Sequence, residues 1–251
     1  MRPLRTSDIA RAVGIHPNTV RVYEQWGFLP PVPRSESGYR LFSGLHLEQV
    51  RLVRMALRCT QLGGAIRRQA LGVVERAAGC DFPAAGQQAR DLWEMVRRER
   101  EVAEAAVIHL EQWAEGRTGS EDLPGMRISE AAALVGVSID RLRDWERNGL
   151  LSVPREESSG YRVYGPAEIE RLQVISAMRK ARYSQMSILR VLQTLDRGNK
   201  EGLRQALDSP APDDELYYHC VFDQWRQALA EAEENARRMI GHLEKMSLWF
   251  K

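Results

Sequence analysis

The stretch "IARAVGIHPNTVRVYEQWGFL" (Ile9–Leu29) decides the fold, because a near-copy of it lies 122 residues further along the chain. That copy, "AAALVGVSIDRLRDWERNGLL" (Ala131–Leu151), keeps a valine-glycine pair, an arginine, a glutamate and a leucine at matching places. A proline-arginine pair and a Gly-Tyr-Arg segment follow each stretch, the latter at Gly38–Arg40 and Gly160–Arg162. The loops between them differ by one residue in compensating ways, as surface loops tolerate. We infer a duplicated unit.

Each copy has the pattern of a helix, a tight turn and a second helix. Gly14 and Gly136 suit the positive φ that a turn between helices requires. Residues that favour a helix start are Ser7 and Pro17 in the first copy, Ser129 and Ser138 in the second. Apolar residues predicted to be buried are Ile9, Val13, Ile15, Val20, Leu134, Val137 and Leu142. This is a helix-turn-helix pattern, whose second helix commonly enters the major groove of DNA.

The segments behind the helices predict two short strands around a tip in each copy, a wing, with Gly38 or Gly160 in the turn. A tight tip lies close to a duplex, its arginine neutralises a phosphate, and its tyrosine ring packs and hydrogen-bonds there. The alternative is a hairpin whose tyrosine packs on the core and whose arginine is merely solvated. Because the tip occurs twice, each time behind a basic helix-turn-helix pattern, we favour contact with DNA.

Taken whole, the two runs resemble the mercury-resistance-regulator (MerR) family of winged-helix transcription factors, over more than half of the chain. The resemblance implies that Arg21 and Arg143 lie on recognition helices and that Arg40 and Arg162 touch the DNA backbone. The predicted DNA-binding residues are Asn18, Thr19, Arg21, Tyr23, Arg34, Tyr39 and Arg40 in the first copy, and Arg141, Arg143, Trp145, Arg155, Tyr161 and Arg162 in the second.

Three positions depart from the family pattern. Val22 and Asp144 stand where its first tyrosine is expected, and Arg141 replaces its threonine. The carboxylate of Asp144 repels phosphate, although it can accept a hydrogen bond from a cytosine amine. We therefore expect the second unit to bind DNA more weakly than the first, or to recognise a different sequence.

Two long segments, 84–116 and 213–250, repeat residues every three or four positions that are apolar except at Glu99, which predicts coiled-coil seams. The seam residues are Ala89, Leu92, Val96, Glu99, Ala103, Ala106, Leu110 and Trp113, then Phe222, Trp225, Leu229, Ala232, Ala236, Met239, Leu243, Met246 and Phe250. Family members usually dimerise through such a helix, paired antiparallel. The resemblance therefore implies a pseudo-dimer within one chain, a monomer in which the two long helices pair. The rival is a homodimer with four winged units.

We therefore expect a mainly α fold with small β wings. The expected segments are a winged unit over 1–80, a long helix over 84–116, a linker over 117–125, a second winged unit over 126–208 and a second long helix over 213–250.

The net charge of the 251-residue chain is only +2, but its sign varies along the sequence. Residues 1–60 carry nine arginines against four acidic residues, whereas 213–250 carry four basic against eight acidic residues. The basic front end favours a polyanionic partner. Three scattered cysteines do not form a disulfide framework and favour a reducing compartment. No apolar run approaches the ~20 residues of a membrane span. We expect a cytoplasmic protein without membrane contact.

The sequence shows no glycine-rich phosphate loop, nucleophile-base pair or spaced carboxylate pair, so we expect neither an enzyme nor a cofactor. The five histidines lack the spacing of metal ligands. Cys80 and Cys220 each precede a long helix, where a shared thiolate site for a thiophilic metal is conceivable. Lone cysteines are more often buried as small apolar residues, and we expect no metal site.

By the resemblance, we expect a regulator that binds double-stranded promoter DNA and untwists or kinks it so that RNA polymerase engages. The alternative is an architectural or recombination-accessory protein that bends DNA without recruiting polymerase. In a third interpretation, the second unit, with Asp144, contacts a protein instead of DNA.

Overall fold

The structure, a computed structural model, describes residues 3–117, 124–208 and 224–250. Most of the predicted linker and the beginning of the second long helix, with Phe222 and Cys220, lie outside the described residues. The described part is mainly helical, as predicted. Its helices in the first copy are α1 (Thr6–Val13), α2 (Pro17–Gln25), α3 (Gly44–Cys59), α4 (Gly64–Ala78) and α5 (Phe82–Ala114). Those that follow are α6 (Ile128–Val135), α7 (Ile139–Arg147), α8 (Pro166–Lys180), α9 (Gln185–Asp196), α10 (Leu203–Asp208) and α11 (Trp225–Trp249).

The first helix of each copy begins earlier than its serine predicts. Ser7 and Ser129 lie inside α1 and α6, so the prediction that they cap these helices is wrong. The carboxylate of Asp8 instead accepts from the backbone N–H of Arg5 at 2.8 Å, and Glu130 accepts from that of Arg127 at 2.7 Å. An acidic residue in the first turn thus satisfies a helix-terminal N–H group.

The apolar pattern of the first helix pair is confirmed at Ile9 and Val20, which are fully buried. In the second copy the prediction for Leu134 is wrong, because this side chain is exposed. The corresponding residue in the first copy, Ala12, is exposed as well, so this position faces outward in both copies. The buried positions of α6 are instead filled by Ala131, Ala132 and Val135.

Single antiparallel bridges stand where the sequence predicts two short strands in each wing. One bridge joins Arg34 and Arg40, and the other joins Arg155 and Arg162. Within the described ranges, no bridge extends into a strand. A proline directly precedes each bridge, and proline lacks the N–H group that a longer ladder needs. The wings are therefore tight loops held by single bridges, and the predicted strands are not formed.

One side chain of the third helix, buried in the first copy and half-buried in the second, bonds to the segment that follows each recognition helix. In the first copy the amide of Gln49 donates to the carbonyl oxygens of Phe28 and Val74, both at 2.9 Å. In the second copy Arg171 occupies the corresponding position and donates to the carbonyl oxygen of Leu150 at 2.7 Å. The repeat has thus kept the connection while changing the side chain that makes it.

The chain divides into two compact units that do not follow the order of the sequence. Unit 1 consists of Met1–Arg98 together with Ala228–Lys251, and unit 2 consists of Glu99–Gln227. The long helix α5 therefore contributes its first half to unit 1 and its second half to unit 2. Most of α11, the last helix of the chain, belongs to the unit that contains the first winged copy.

Unit 1 is closed by contacts between α3 and α11. The thiol of Cys59 donates to the carbonyl oxygen of Ala232 at 3.5 Å, and His242 Nε2 lies 2.9 Å from the carbonyl oxygen of Glu48. The seam residues of α11 that belong to unit 1 are buried: Leu229, Ala232, Ala236, Met239, Leu243 and Met246. Phe250, directly after the helix, is half-buried, and the buried Trp225 belongs to unit 2. Burial of this apolar stripe is the main stabilising contribution that α11 makes.

Unit 2 is closed by the second half of α5. Arg204 in α10 pairs with Glu111 at 2.7 Å and also with Glu104, and the hydroxyl of Tyr183 lies 3.5 Å from the carbonyl oxygen of Ala103. The seam residues Ala103, Ala106 and Leu110 are buried in this unit, and Ala89, Leu92 and Val96 are buried in unit 1. No helix of the described residues is both long and apolar enough to cross a membrane.

Candidate nucleic-acid interface

Both copies present a second helix, α2 or α7, with a satisfied N-terminus behind a left-handed turn. The turn glycines, Gly14 and Gly136, have φ values of 68° and 69°, as predicted. At α2 the ring of His16 accepts from the backbone N–H of Asn18 at 3.1 Å. At α7 the hydroxyl of Ser138 accepts from the backbone N–H of Arg141 at 3.2 Å. Capping of this kind holds the first turn, the part that meets base edges in helix-turn-helix proteins.

Most of the predicted DNA-binding residues lie at the surface of their own unit. Exposed or half-exposed are Asn18, Thr19, Arg21, Arg34, Tyr39, Arg40, Arg141, Arg143, Arg155, Tyr161 and Arg162. Tyr23 and Trp145 differ, because only 5% and 2% of their surfaces are exposed. Both occupy the buried face of their helix, where they pack and position it. Their side chains therefore offer little accessible surface to a ligand.

A glutamate on each recognition helix holds the arginine of the wing. Glu24 forms ion pairs with Arg40 and, at 2.9 Å, with Arg34. In the second copy Glu146 pairs with Arg162 at 2.7 Å. Each wing is therefore fastened to its recognition helix by a partly buried ion pair, which we call the wing latch. The role of the glutamates was not predicted from the sequence, although each recurs 16 residues before the tip arginine.

The tips themselves project into solvent. Tyr39 and Tyr161 are 74% and 66% exposed, and the glycine before each has a positive φ. In the second copy the guanidinium of Arg127 lies 5.3 Å from the centre of the Tyr161 ring, and Arg155 donates to the carbonyl oxygen of Gly160 at 3.0 Å. An exposed ring with a hydroxyl beside cations suits contact with a sugar-phosphate backbone.

Arginines converge beside the tip of unit 2. A cavity of about 710 Å³ opens there, lined by the side chains of Arg127, Arg143, Arg155 and Arg162 together with the tip. Three of these guanidinium groups also pair with carboxylates, Arg127 with Glu156, Arg143 with Asp140 and Arg162 with Glu146, which compensates part of the positive charge. The lining joins residues of the recognition helix and of the wing, the two elements that sequence analysis assigns to DNA binding.

The recognition helices differ in how their cations are compensated. In α7, Arg143 pairs with Asp140 at 3.0 Å, and Arg147 pairs with Asp144. In α2 the only acidic residue is Glu24, which belongs to the wing latch. Outside the wing latch, α7 carries three arginines and two aspartates and α2 carries a single arginine, so the two helices have the same net charge and differ only in the local pairing of their cations.

The two described cysteines lie in different environments, and the thiolate site conceivable between Cys80 and Cys220 falls outside the described residues. Cys59 is buried and Cys80 is exposed, whereas Cys220 lies outside the described residues. Burial raises the pKa of Cys59 to about 12. Within the ranges that the structure describes, no three His, Cys, Asp or Glu side chains are grouped as ligands of a metal ion.

We expect an alkylating reagent at mildly alkaline pH to label Cys80 in the folded protein and to leave Cys59 unmodified. The thiolate is the reactive form, and the raised pKa of Cys59 keeps its thiol protonated. Peptide mapping by mass spectrometry measures each site, and addition of denaturant serves as the control in which both react. Equal labelling of the two cysteines without denaturant would contradict their placement.

Two family models match the two copies. The model described as "MerR family regulatory protein" matches residues 5–42, and the model described as "MerR HTH family regulatory protein" matches residues 126–195. These are the segments that carry the two helix-turn-helix patterns. The chain carries two MerR-type units.

The relatives of this chain are transcription regulators by name. A probable heavy metal-dependent transcriptional regulator of Haemophilus influenzae is 42% identical over 71 residues, 28% of this chain and 56% of the relative. The regulator CueR of Escherichia coli is 38% identical over 53 residues, 21% of this chain and 39% of the relative. The mercuric resistance operon regulatory protein of Bacillus cereus is 34% identical over 71 residues, 28% and 54%.

The chain thus spans about half the length, or less, of these relatives. The shared part is the MerR-type unit, and none of the names indicates an enzyme. No solved structure gives a significant match.

Proposed function

We propose that this chain is a transcription regulator that binds promoter DNA through two non-identical winged helix-turn-helix units and distorts it so that RNA polymerase engages. The observation that carries the proposal is the wing latch, which occurs at the same place in both copies. A latch between a wing and a recognition helix fixes two DNA-facing elements with respect to each other. Preorganisation of this kind reduces the ordering cost of binding.

The surface around each latch supports contact with a nucleic acid. Arg21 in α2 and Arg143 in α7 project from the exposed faces of their helices, in the position from which base edges are read in the major groove. The exposed tip tyrosines and the wing arginines supply sequence-independent contacts. Because such contacts release counterions, affinity should fall as salt concentration rises.

The distribution of the long helices supports a pseudo-dimer within one chain. Unit 1 contains the first half of α5 and most of α11, and unit 2 contains the second half of α5 and the first residues of α11. This order of segments is the one that antiparallel pairing of two helices produces. We infer that one chain carries both half-site readers, so that its operator is asymmetric rather than a perfect palindrome.

One chain per short duplex is therefore the expected stoichiometry. Light scattering of the purified complex measures its mass directly, and a duplex of unrelated sequence at the same salt concentration is the control. A complex of two chains per duplex would contradict the pseudo-dimer and favour a homodimer with four winged units.

Replacing Arg21 with alanine is expected to relax base preference at one half-site and to leave the other half-site unchanged. A good bidentate contact to a base contributes about 1–3 kcal/mol of discrimination. The matched variant, Arg143→Ala, should relax the other half-site instead. Selection of bound sequences from a random DNA pool measures both. An equal loss of affinity for all sequences in both variants would contradict base reading by these arginines.

A further inference from the structure

A basic groove lies between α3 and α11 in unit 1, outside the surface assigned to DNA. It has a volume of about 630 Å³, within the usual range for small-molecule sites. Its lining consists of Arg51, Arg54, Met55 and Arg58 from α3, Asn235, Arg238, Gly241, His242 and Lys245 from α11, and Val13 from the end of α1. Six of these ten residues carry a basic side chain.

Acidic side chains compensate only part of this charge. Glu48 pairs with Arg51 at 2.6 Å and lies 3.5 Å from His242, and Glu234 pairs with Arg238 at 3.2 Å. The remaining cations, Arg54, Arg58 and Lys245, have no carboxylate partner within the described residues. The groove therefore keeps a net positive charge with three cationic groups available to an anion.

The basic side chains stand in two rows, and the first and last members of each row are seven positions apart. On α3 they lie at positions 51, 54 and 58, and on α11 at positions 238, 242 and 245. With a rise of 1.5 Å per residue, each row extends over roughly 10 Å. Neighbouring basic side chains in a row are about one helical turn apart, so a single phosphate cannot reach all of them. An anion with several separated charges fits the arrangement better.

The second copy lacks this cluster. At the positions of α8 that correspond to Arg51, Arg54 and Arg58, the sequence has Gln173, Ser176 and Lys180. Ser176 is buried and donates to the carbonyl oxygen of Val135 at 3.1 Å. A contact to the DNA backbone that both half-sites share would be expected in both copies. The restriction of the cluster to unit 1 favours a ligand other than the duplex.

We propose that this groove binds a small anion with two or more phosphate groups. The unpaired cations of both helices neutralise the phosphates, while Val13, Met55 and the amide of Asn235 contact any organic part of the ligand. Arginine and lysine suit this chemistry, because arginine donates to two phosphate oxygens at once and lysine supplies a compact charge.

Inorganic tripolyphosphate is the probe, and isothermal titration calorimetry of the full chain at moderate salt concentration measures its binding. We expect saturable binding to the native protein. The double variant Arg54→Gln with Arg58→Gln should weaken it by about tenfold or more, equivalent to roughly 1.4 kcal/mol. Circular dichroism and a thermal melt establish that the variant is folded. The variant Arg238→Gln with Lys245→Gln, on the opposite wall of the groove, should weaken binding in the same way.

The matched control is Arg90→Gln with Arg98→Gln, which removes two exposed arginines of α5 outside the groove. This control should bind tripolyphosphate as the native protein does. Absence of saturable binding to the native protein, or an equal loss in the control, overturns the proposal.

A parallel titration with duplex DNA separates the two sources of phosphate. If the groove variants lose DNA affinity while the native protein does not bind tripolyphosphate, the groove belongs to the DNA interface and the proposal is wrong. The two proposals can also fail separately. If the full chain binds tripolyphosphate but not DNA, the groove proposal is supported and the proposed regulator function is refuted.

Discussion

Replacement of Met239 with aspartate is expected to unfold unit 1 while unit 2 remains folded. Met239 is fully buried in α11, in the segment that belongs to unit 1. A buried carboxylate without a partner is among the most destabilising single changes, at about 4–5 kcal/mol or more. A domain has only about 5–15 kcal/mol of unfolding free energy in total. Hydrogen exchange followed by mass spectrometry should show lost protection in 6–78 and retained protection in 128–196.

The reciprocal variant is Leu110→Asp. Leu110 is fully buried in the second half of α5, within unit 2, so lost protection should appear in 128–196 instead. Leu248→Asp provides a matched control on α11, because this leucine is 70% exposed, and it should change the unfolding free energy by less than about 0.5 kcal/mol. If Met239→Asp and Leu110→Asp affect the same segment, the division of the two helices between the units is incorrect.

The variant Glu24→Gln is expected to weaken DNA binding, although it removes a negative charge from the candidate interface. Glu24 holds both Arg34 and Arg40 in the wing latch. Without the carboxylate, a partly buried arginine loses its ionic partner, at a cost of about 1–3 kcal/mol, and the wing is no longer fixed against α2. We expect a loss of about tenfold in affinity, measured by fluorescence anisotropy with a labelled duplex.

The control for this change is Glu36→Gln, the same substitution at an exposed position of the same wing. Removing this carboxylate reduces repulsion from phosphate, so affinity should stay equal or rise slightly. The change in DNA affinity is thus expected to have opposite signs for the two Glu→Gln substitutions. This difference separates a role of Glu24 in positioning the wing from a purely electrostatic effect. Tighter binding of Glu24→Gln would show that the latch is dispensable.

Features encoded by adjacent residues were predictable from the sequence. The turn at Gly14 and the starts of α2 and α7 depend on local backbone preferences, and the structure confirms them. The apolar stripe on the last helix was equally readable, because its period needs no knowledge of the partner. Because the two copies share one pattern, a prediction made for one copy applied to the other as well.

Features that depend on distant residues were not predictable in the same way. Glu24 contacts Arg40 only after the wing folds back on α2, and no pattern of neighbouring residues predicts that contact. Leu134 has the helical spacing of a buried residue, but it faces outward. Tyr23 was assigned to DNA by resemblance, whereas packing against its own unit decides its position.

The shared long helix α5 and the return of α11 to unit 1 have a consequence for the gene. A cut between the two sequence repeats would separate residues that complete each other's core, so neither fragment would hold a whole folding unit. The two fragments, produced together, should reassemble by complementation, while each alone should be prone to aggregation. Because the two parts are synthesised as one chain, they are produced in a fixed one-to-one ratio and need not associate from separate polypeptides.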